Sequence, residues 1–155
     1  MPDPNYEEPR LKIGLGAGIQ RGIFGGAEWQ IPLTDSRATR LPFIFNIGID
    51  PGTWSAVFSA GIGFYSKPDD YFRKWGWGVV ALASHKTWTD GPESIRGMFL
   101  SFSPTFLIRR WSKTWLLSIG PVLESRTRRI STDHTEETRK QTLLGATAEI
   151  CMLFW

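Results

Sequence analysis

Eight stretches of this chain alternate with a period of two, and in every one of them a single face is free of charge. The first reads Leu11, Ile13, Leu15, Ala17, Ile19, and the last Leu144, Ala146, Ala148, Ile150, Met152, Phe154. The six between them start their apolar sets at Ala27, Leu41, Trp54, Trp75, Met98 and Trp115. The intervening positions are glycine, serine, threonine and a few charges. Successive side chains of a β-strand point to opposite faces, so this period marks strands. Glycines and β-branched residues interrupt every candidate helical window. The chain must therefore build a sheet with one continuous apolar face, and the solvent that this face meets decides what the protein is.

The alternation places strands at 10–20, 24–33, 40–50, 53–65, 75–85, 97–109, 114–126 and 140–155. Turn residues separate them: Gly22, Asp50-Pro51-Gly52-Thr53, Lys67-Pro68-Asp69-Asp70 and Thr89-Asp90-Gly91-Pro92. Residues 127–139 read as the longest and most polar connection. Short connections between consecutive strands imply an antiparallel meander. Eight such strands with no protected edge are expected to close into an up-and-down barrel. A turn centred on Gly22 sets Gly16 opposite Glu28 and Gly14 opposite Gln30, all on the polar face. A turn at Pro51-Gly52 sets Gly48 opposite Ser55.

At 155 residues the chain is one domain, residues 10–155, preceded by a tail of residues 1–9 that holds three prolines and three acids. The tail has neither the basic nor the apolar region of a signal peptide, so an exported protein would be represented here by a mature or engineered form with a start Met. Mean hydropathy is -0.19, and no apolar run approaches the ~20 residues of a transmembrane helix. Strands of a membrane barrel need only ~9–11 residues and alternate, which halves their hydropathy signal. The lone Cys151 excludes an internal disulfide and a cysteine-rich metal site. A net charge of +3, with small clusters at Arg109-Arg110 and Arg126 to Arg129, suits strand ends better than a nucleic-acid footprint.

Size decides which face points inward. An eight-stranded barrel has room only for modest side chains or one small ligand. The Phe, Trp, Leu and Ile of the apolar face would overfill it. The other face is small: Gly14, Gly16, Gly18, Gly48, Ser59, Gly61, Gly63, Gly76, Gly78, Ser101, Ser103, Ser118, Gly120, Gly145, Thr147. A soluble exterior would instead be rich in Lys and Glu. With both termini at one rim, Trp29, Phe43, Phe64, Trp75, Trp77, Phe106, Trp115, Phe154 and Trp155 gather near it, and Trp54 and Phe24 lie near the other. Aromatic girdles of this kind are expected at membrane interfaces.

With strand count, face pattern and a last strand ending Ile150-Cys151-Met152-Leu153-Phe154-Trp155, the chain resembles the small eight-stranded bacterial outer-membrane barrels of the OmpA transmembrane-domain type. The resemblance is architectural and covers residues 10–155. It implies a bacterial outer-membrane location, a lipid bilayer or detergent around the barrel, and recognition of the aromatic C-terminus by the outer-membrane assembly machinery. It also allows a place beside a larger membrane complex. The chain departs from the family in its tight Asp50-Pro51-Gly52 turn, on the side where long loops are usual. Trp155 stands in lumen phase.

The polar face also carries Lys12, Glu28, Gln30, Asp50, Arg109, Glu124, Arg126 and Glu149. Charges enclosed in a narrow lumen must be paired. The expectation is a salt-bridged plug centred on Glu28 and Glu149, with Gly14 and Gly16 leaving space for Glu28 and Gln30 to reach across. Such a plug fills the lumen rather than conducting ions.

Little chemistry is legible. Asp133, His134, Glu136 and Glu137 have no ordered metal-ligand spacing. No phosphate-binding, dinucleotide or zinc motif is present, and no cofactor is implied. His85, Thr87 and Glu93 offer a base, a hydroxyl and an acid. The run His85-Lys86-Thr87 to Glu93 faintly resembles the His-x-Ser and Glu arrangement of outer-membrane lipid A deacylases, with Thr87 in the nucleophile's place. Three readings follow: a plugged outer-membrane barrel with a structural or interaction role, a lipid-modifying hydrolase using His85, and a soluble lipocalin-like barrel around an apolar ligand.

Overall fold

The computed structural model of the chain describes residues 11–32, 39–66, 74–110, 113–132 and 134–154. The tail 1–9, Leu33, the turn at Lys67 to Asp70, Asp133 and Trp155 lie outside them. The described residues form eight antiparallel strands: β1 (Leu11–Gly18), β2 (Gly22–Pro32), β3 (Thr39–Asp50), β4 (Ser55–Ser66), β5 (Trp75–Asp90), β6 (Glu93–Arg110), β7 (Lys113–Ser131) and β8 (Glu136–Phe154). Each strand pairs with the next, and β8 returns to β1, so the sheet closes as an up-and-down barrel. Closure removes the sheet edges over the height that all eight strands share, while β8 before Ala148 and β5 after Lys86 run past their β1 and β4 neighbours.

The four strands β5 to β8 run well past the level expected from alternation. They have 16, 18, 19 and 19 residues, against 8, 11, 12 and 12 for β1 to β4. Residues 127–139 are therefore not a loop. β7 runs to Ser131 and β8 starts at Glu136, and between them the Thr132 amide donates to the Thr135 carbonyl at 2.8 Å. The extra length is polar on its outer face, carries Trp88, Ile95 and Ile130 on the inner one, and is rich in threonine, which fits a pleated surface. Cross-strand Arg129–Glu136 and Arg128–Glu93 pairs tie it together. One side of the barrel wall thus projects beyond the other.

The ladders also correct two registers. Gly16 pairs with Phe24, and Lys12 with Glu28. Gly48 pairs with Val57, and Asp50 with Ser55. Both slips are even-numbered, so the alternation assigns each strand the same two faces as before. The first turn lies at 19–21 because Gln20 and Arg21 fold inward. The second holds Trp54 at a φ of 52°, a left-handed conformation uncommon for a bulky residue. There the Asp50 Oδ1 accepts the Gly52 amide at 2.9 Å.

Leu15, Ile47, Phe58, Phe102, Ile119 and Leu144 point outward and are exposed, as are the apolar residues flanking them. The interior is less uniformly small than the sequence suggests. Phe24, Ile44, Tyr65, Val80, Leu82, Leu107, Leu116, Cys151 and Leu153 form an apolar layer across it. Phe24 is therefore a lumen residue, 3% exposed, and not a rim aromatic on the outer face. Gly16 makes that possible: a Cβ there would meet the Phe24 ring at 2.5 Å. Gly14 and Gly16 thus admit Phe24, Cys151 and Leu153 rather than Glu28 and Gln30.

Candidate functional site

Two surfaces carry chemistry: the lumen and the outer face of the tall wall. In the lumen, polar layers flank the apolar one. Towards the rim that holds the termini, Lys12, Glu28, Gln30 and Arg40 are all buried. The Tyr65 hydroxyl donates to Glu28 Oε1 at 3.0 Å, and Gln30 Nε2 donates to Glu28 Oε2 at 3.2 Å. Towards the opposite end, Arg21 grips Glu149: Nε donates to Oε2 at 2.7 Å, and Nη2 lies 2.6 Å from the same oxygen. The guanidinium also stacks 3.8 Å above the Phe24 ring, which orients it. Glu149 fits because its wall partner is Gly18, where any Cβ would collide with the Glu149 side chain.

Around this pair runs a hydroxyl and amide layer. Gln20 Nε2 donates to Ser84 Oγ at 3.1 Å, Ser84 and Ser59 share a 2.8 Å bond, and Thr105 and Ser118 one of 2.9 Å. A void of about 20 Å³ lies between Arg21, Glu28, Tyr65 and Glu149. That is space for about one water. A continuous aqueous path needs far more.

Among the expected plug residues, Lys12, Glu28, Gln30 and Glu149 share this interior. Glu124 and Arg126 do not. They pair with each other at 2.7 Å, half-buried on the concave inner side of the projecting wall. Arg109 sits half-buried at the terminal rim, where its amide donates to the Lys74 carbonyl at 2.7 Å. Arg21 is the lumen residue that alternation misses, since a residue outside the strands has no phase, whereas Gln20, at the end of the expected strand 10–20, shares the phase of Gly16 and Gly18. Tyr65 and Arg40 do have the phase to be found.

Above Asp50, the inner side of the wall is charge-balanced. Lys86 bonds Asp50 at 2.5 Å and lies over the Trp88 ring at 4.5 Å. Arg128 pairs with Glu93 at 3.4 Å and Arg139 with Glu137 at 3.1 Å.

The outer side changes character within one row of a common level. Across the ladders, Ala83, Leu100, Leu123 and Leu144 form one row. The next row is His85, Met98, Ser125 and Thr142, and the one beyond it Thr87, Arg96, Thr127 and Lys140. Apolar residues thus give way to polar ones at this level on β5, β7 and β8, and one row later, after Met98, on β6. Below the change, outward residues stay apolar to Trp75, Ile108, Trp115 and Phe154, a stretch of ~9–11 residues per strand. Trp29, Trp75, Trp77 and Trp115 stand exposed near the terminal rim, Phe154 is half-exposed there, and Trp54 is exposed at the other end. Trp75 stacks on Phe106 with centroids 6.3 Å apart, and Phe64 meets Trp77 at 5.6 Å.

A hydrolytic relay does not form. His85 and Thr87 point outward, but Glu93 lies on the inner face of β6, bound to Arg128. The sheet separates acid from base. Ser84, beside His85 in sequence, faces the lumen. Among the described residues no three of His, Cys, Asp and Glu come together as metal ligands. Glu136 and Glu137, adjacent on a strand, are held on opposite faces by Arg129 and Arg139. Comparison with protein-family models, curated proteins and solved structures returns no match for this chain.

Proposed function

We propose that this protein is a transmembrane barrel of a bacterial outer membrane. In this reading it is a closed, non-conducting structural or interaction component, as its resemblance to the small eight-stranded barrels suggests. One observation carries the reading: the exposed outer face is apolar over ~9–11 residues per strand and ends within one row of a common level on β5 to β8. A strand of that length, tilted as in known barrels, spans about 25 Å, the height of a hydrocarbon-facing band. Burying such a face in lipid removes the penalty of showing Phe, Leu and Ile to water. The exposed tryptophans near the terminal rim would then serve as one interfacial girdle. In the usual orientation of such barrels the tall wall of β5 to β8 projects outside the cell.

The filled interior supports a plug rather than a pore. It also leaves no room for the ligand of a lipocalin-like barrel. The separation of His85 from Glu93 weighs against the hydrolase. Purified chain refolded into detergent should migrate on gels with a heat-dependent mobility, and should precipitate without amphiphile. Planar bilayers containing it should show no steady conductance. A monodisperse, water-soluble monomer would overturn the membrane assignment, and a persistent large conductance would overturn the plug.

A further inference from the structure

The charges of the projecting wall are sorted by face. Inward, Lys86, Arg126, Arg128 and Arg139 each meet a carboxylate. Outward, Arg96, Arg129 and Lys140 stand on three adjacent strands with one outward acid, Glu136, already bound to Arg129. Among the described residues no carboxylate pairs with Arg96 or Lys140. Neighbouring strands lie ~4.8 Å apart, so Arg96 and Lys140 begin ~10 Å from each other with Arg129 between them and one row higher. Their side chains are long enough to converge on one phosphate. A cleft of about 270 Å³ opens there, and the hydroxyls of Thr87, Ser94, Thr127 and Thr138 line it beside Arg96 and Arg129.

This cleft adjoins an apolar groove. Just below it, on the outer face of β2 to β6, a groove of about 620 Å³ has a floor of Gly25, Ala27, Ala60 and Ala83 between Phe45, Phe58 and Met98. That is within the usual size of ligand clefts. His85 and Met98 close its upper end, and the next row of the same two strands is Thr87 and Arg96. The groove lies on the apolar belt, Arg96 borders its upper edge, and Arg129 and Lys140 stand on the two strands beyond. An amphiphile with an acyl chain and a phosphate matches both at once.

We propose that this outer face binds a phosphate-bearing lipid of the surrounding leaflet, its acyl chain in the groove and its phosphate at Arg96, Arg129 and Lys140. The proposal rests on the membrane reading above. Each cation near an anionic lipid surface contributes about a five-fold change in binding. The test uses the full chain in vesicles of phosphatidylcholine with or without phosphatidylglycerol, followed by detergent extraction and mass spectrometry of the lipid that stays bound. Wild type should retain phosphatidylglycerol preferentially. Arg96→Gln with Lys140→Gln should lower that preference about 25-fold, while Arg139→Gln on the inner face should leave it unchanged. Ala83→Phe, which fills the groove, should reduce retention of both lipids. Equal retention of the two lipids by a folded, inserted wild type would overturn the proposal, as would competition by millimolar inorganic phosphate that abolishes the preference. Failure to insert into either vesicle would instead strike at the membrane reading.

Discussion

Ile119 gives the sharpest test of which solvent the outer face meets. It stands midway along the apolar stretch of β7, across from Ala148, and 60% of its surface is exposed. Ile119→Arg therefore removes no interior packing and meets no wall. If water surrounds the barrel, the change is an ordinary surface substitution, within about 0.5 kcal/mol of neutral. If hydrocarbon surrounds it, arginine at the midplane of a β-barrel costs ~2–4 kcal/mol. At ~1.4 kcal/mol per decade this is about a 30- to 700-fold loss in the folding equilibrium. The cost must also depend on depth. Ser125 shares the strand and the face but stands one row beyond Leu123, at the polar boundary. Ser125→Arg should cost no more than ~1 kcal/mol. The assay is urea-titrated folding into phosphatidylcholine vesicles, with the folded fraction read from heat-dependent gel mobility and tryptophan emission. A flat profile, in which the two arginines cost the same, would refute the argument.

Other perturbations probe the interior. Glu149→Ala leaves Arg21 buried without its counter-charge and should cost ~3–5 kcal/mol, whereas Arg21→Met with Glu149→Gln should recover most of it; urea midpoints that fail to separate the single from the double variant would contradict the pairing. Gly18→Val forces a Cβ into the Glu149 side chain and should cost at least ~2 kcal/mol. Gly91→Ala, in open space at a φ of 60°, should cost only about 1 kcal/mol for its left-handed backbone; an inverted order in the same titration would count against the lumen geometry. Asp50 lies past Ile49, the last outward apolar residue of β3. Partial burial raises its carboxyl, but hydrogen bonds from Lys86, the Gly52 amide and Thr53, with the nearby Lys86 charge, outweigh it and hold the group below 3.8. A carboxyl lowered on folding adds stability above its unfolded value and loses it as pH falls through the folded one. Wild type should thus lose up to ~1 kcal/mol between about pH 5 and 3, and Lys86→Ala clearly less; parallel curves would dismiss the pair.

The face of every strand was legible because the contrast between its two sides is large. Ile119 and Gly120, or Phe102 and Ser103, differ so much that a slip of one residue would expose the error. The projecting wall was not legible for the same reason. In Arg126-Thr127-Arg128-Arg129 both sides are polar, so the alternation that identifies a strand has no amplitude there. What marks it is complementarity: Arg128 and Arg129 face inward and outward in turn, and Glu93 and Glu136 answer them on the two neighbouring strands. The lumen partners were hidden more deeply. Phase assigns Glu149 to the interior, yet it cannot say what Glu149 meets. That depends on the stagger with which β8 closes on β1. Gly18 faces Glu149 in the finished ring, and the turn just beyond Gly18 then delivers Arg21 to the carboxylate. No local sequence signal encodes this stagger. It is set by the sum of eight pairings, so residues that alternation leaves in a loop can become the innermost contact of the barrel.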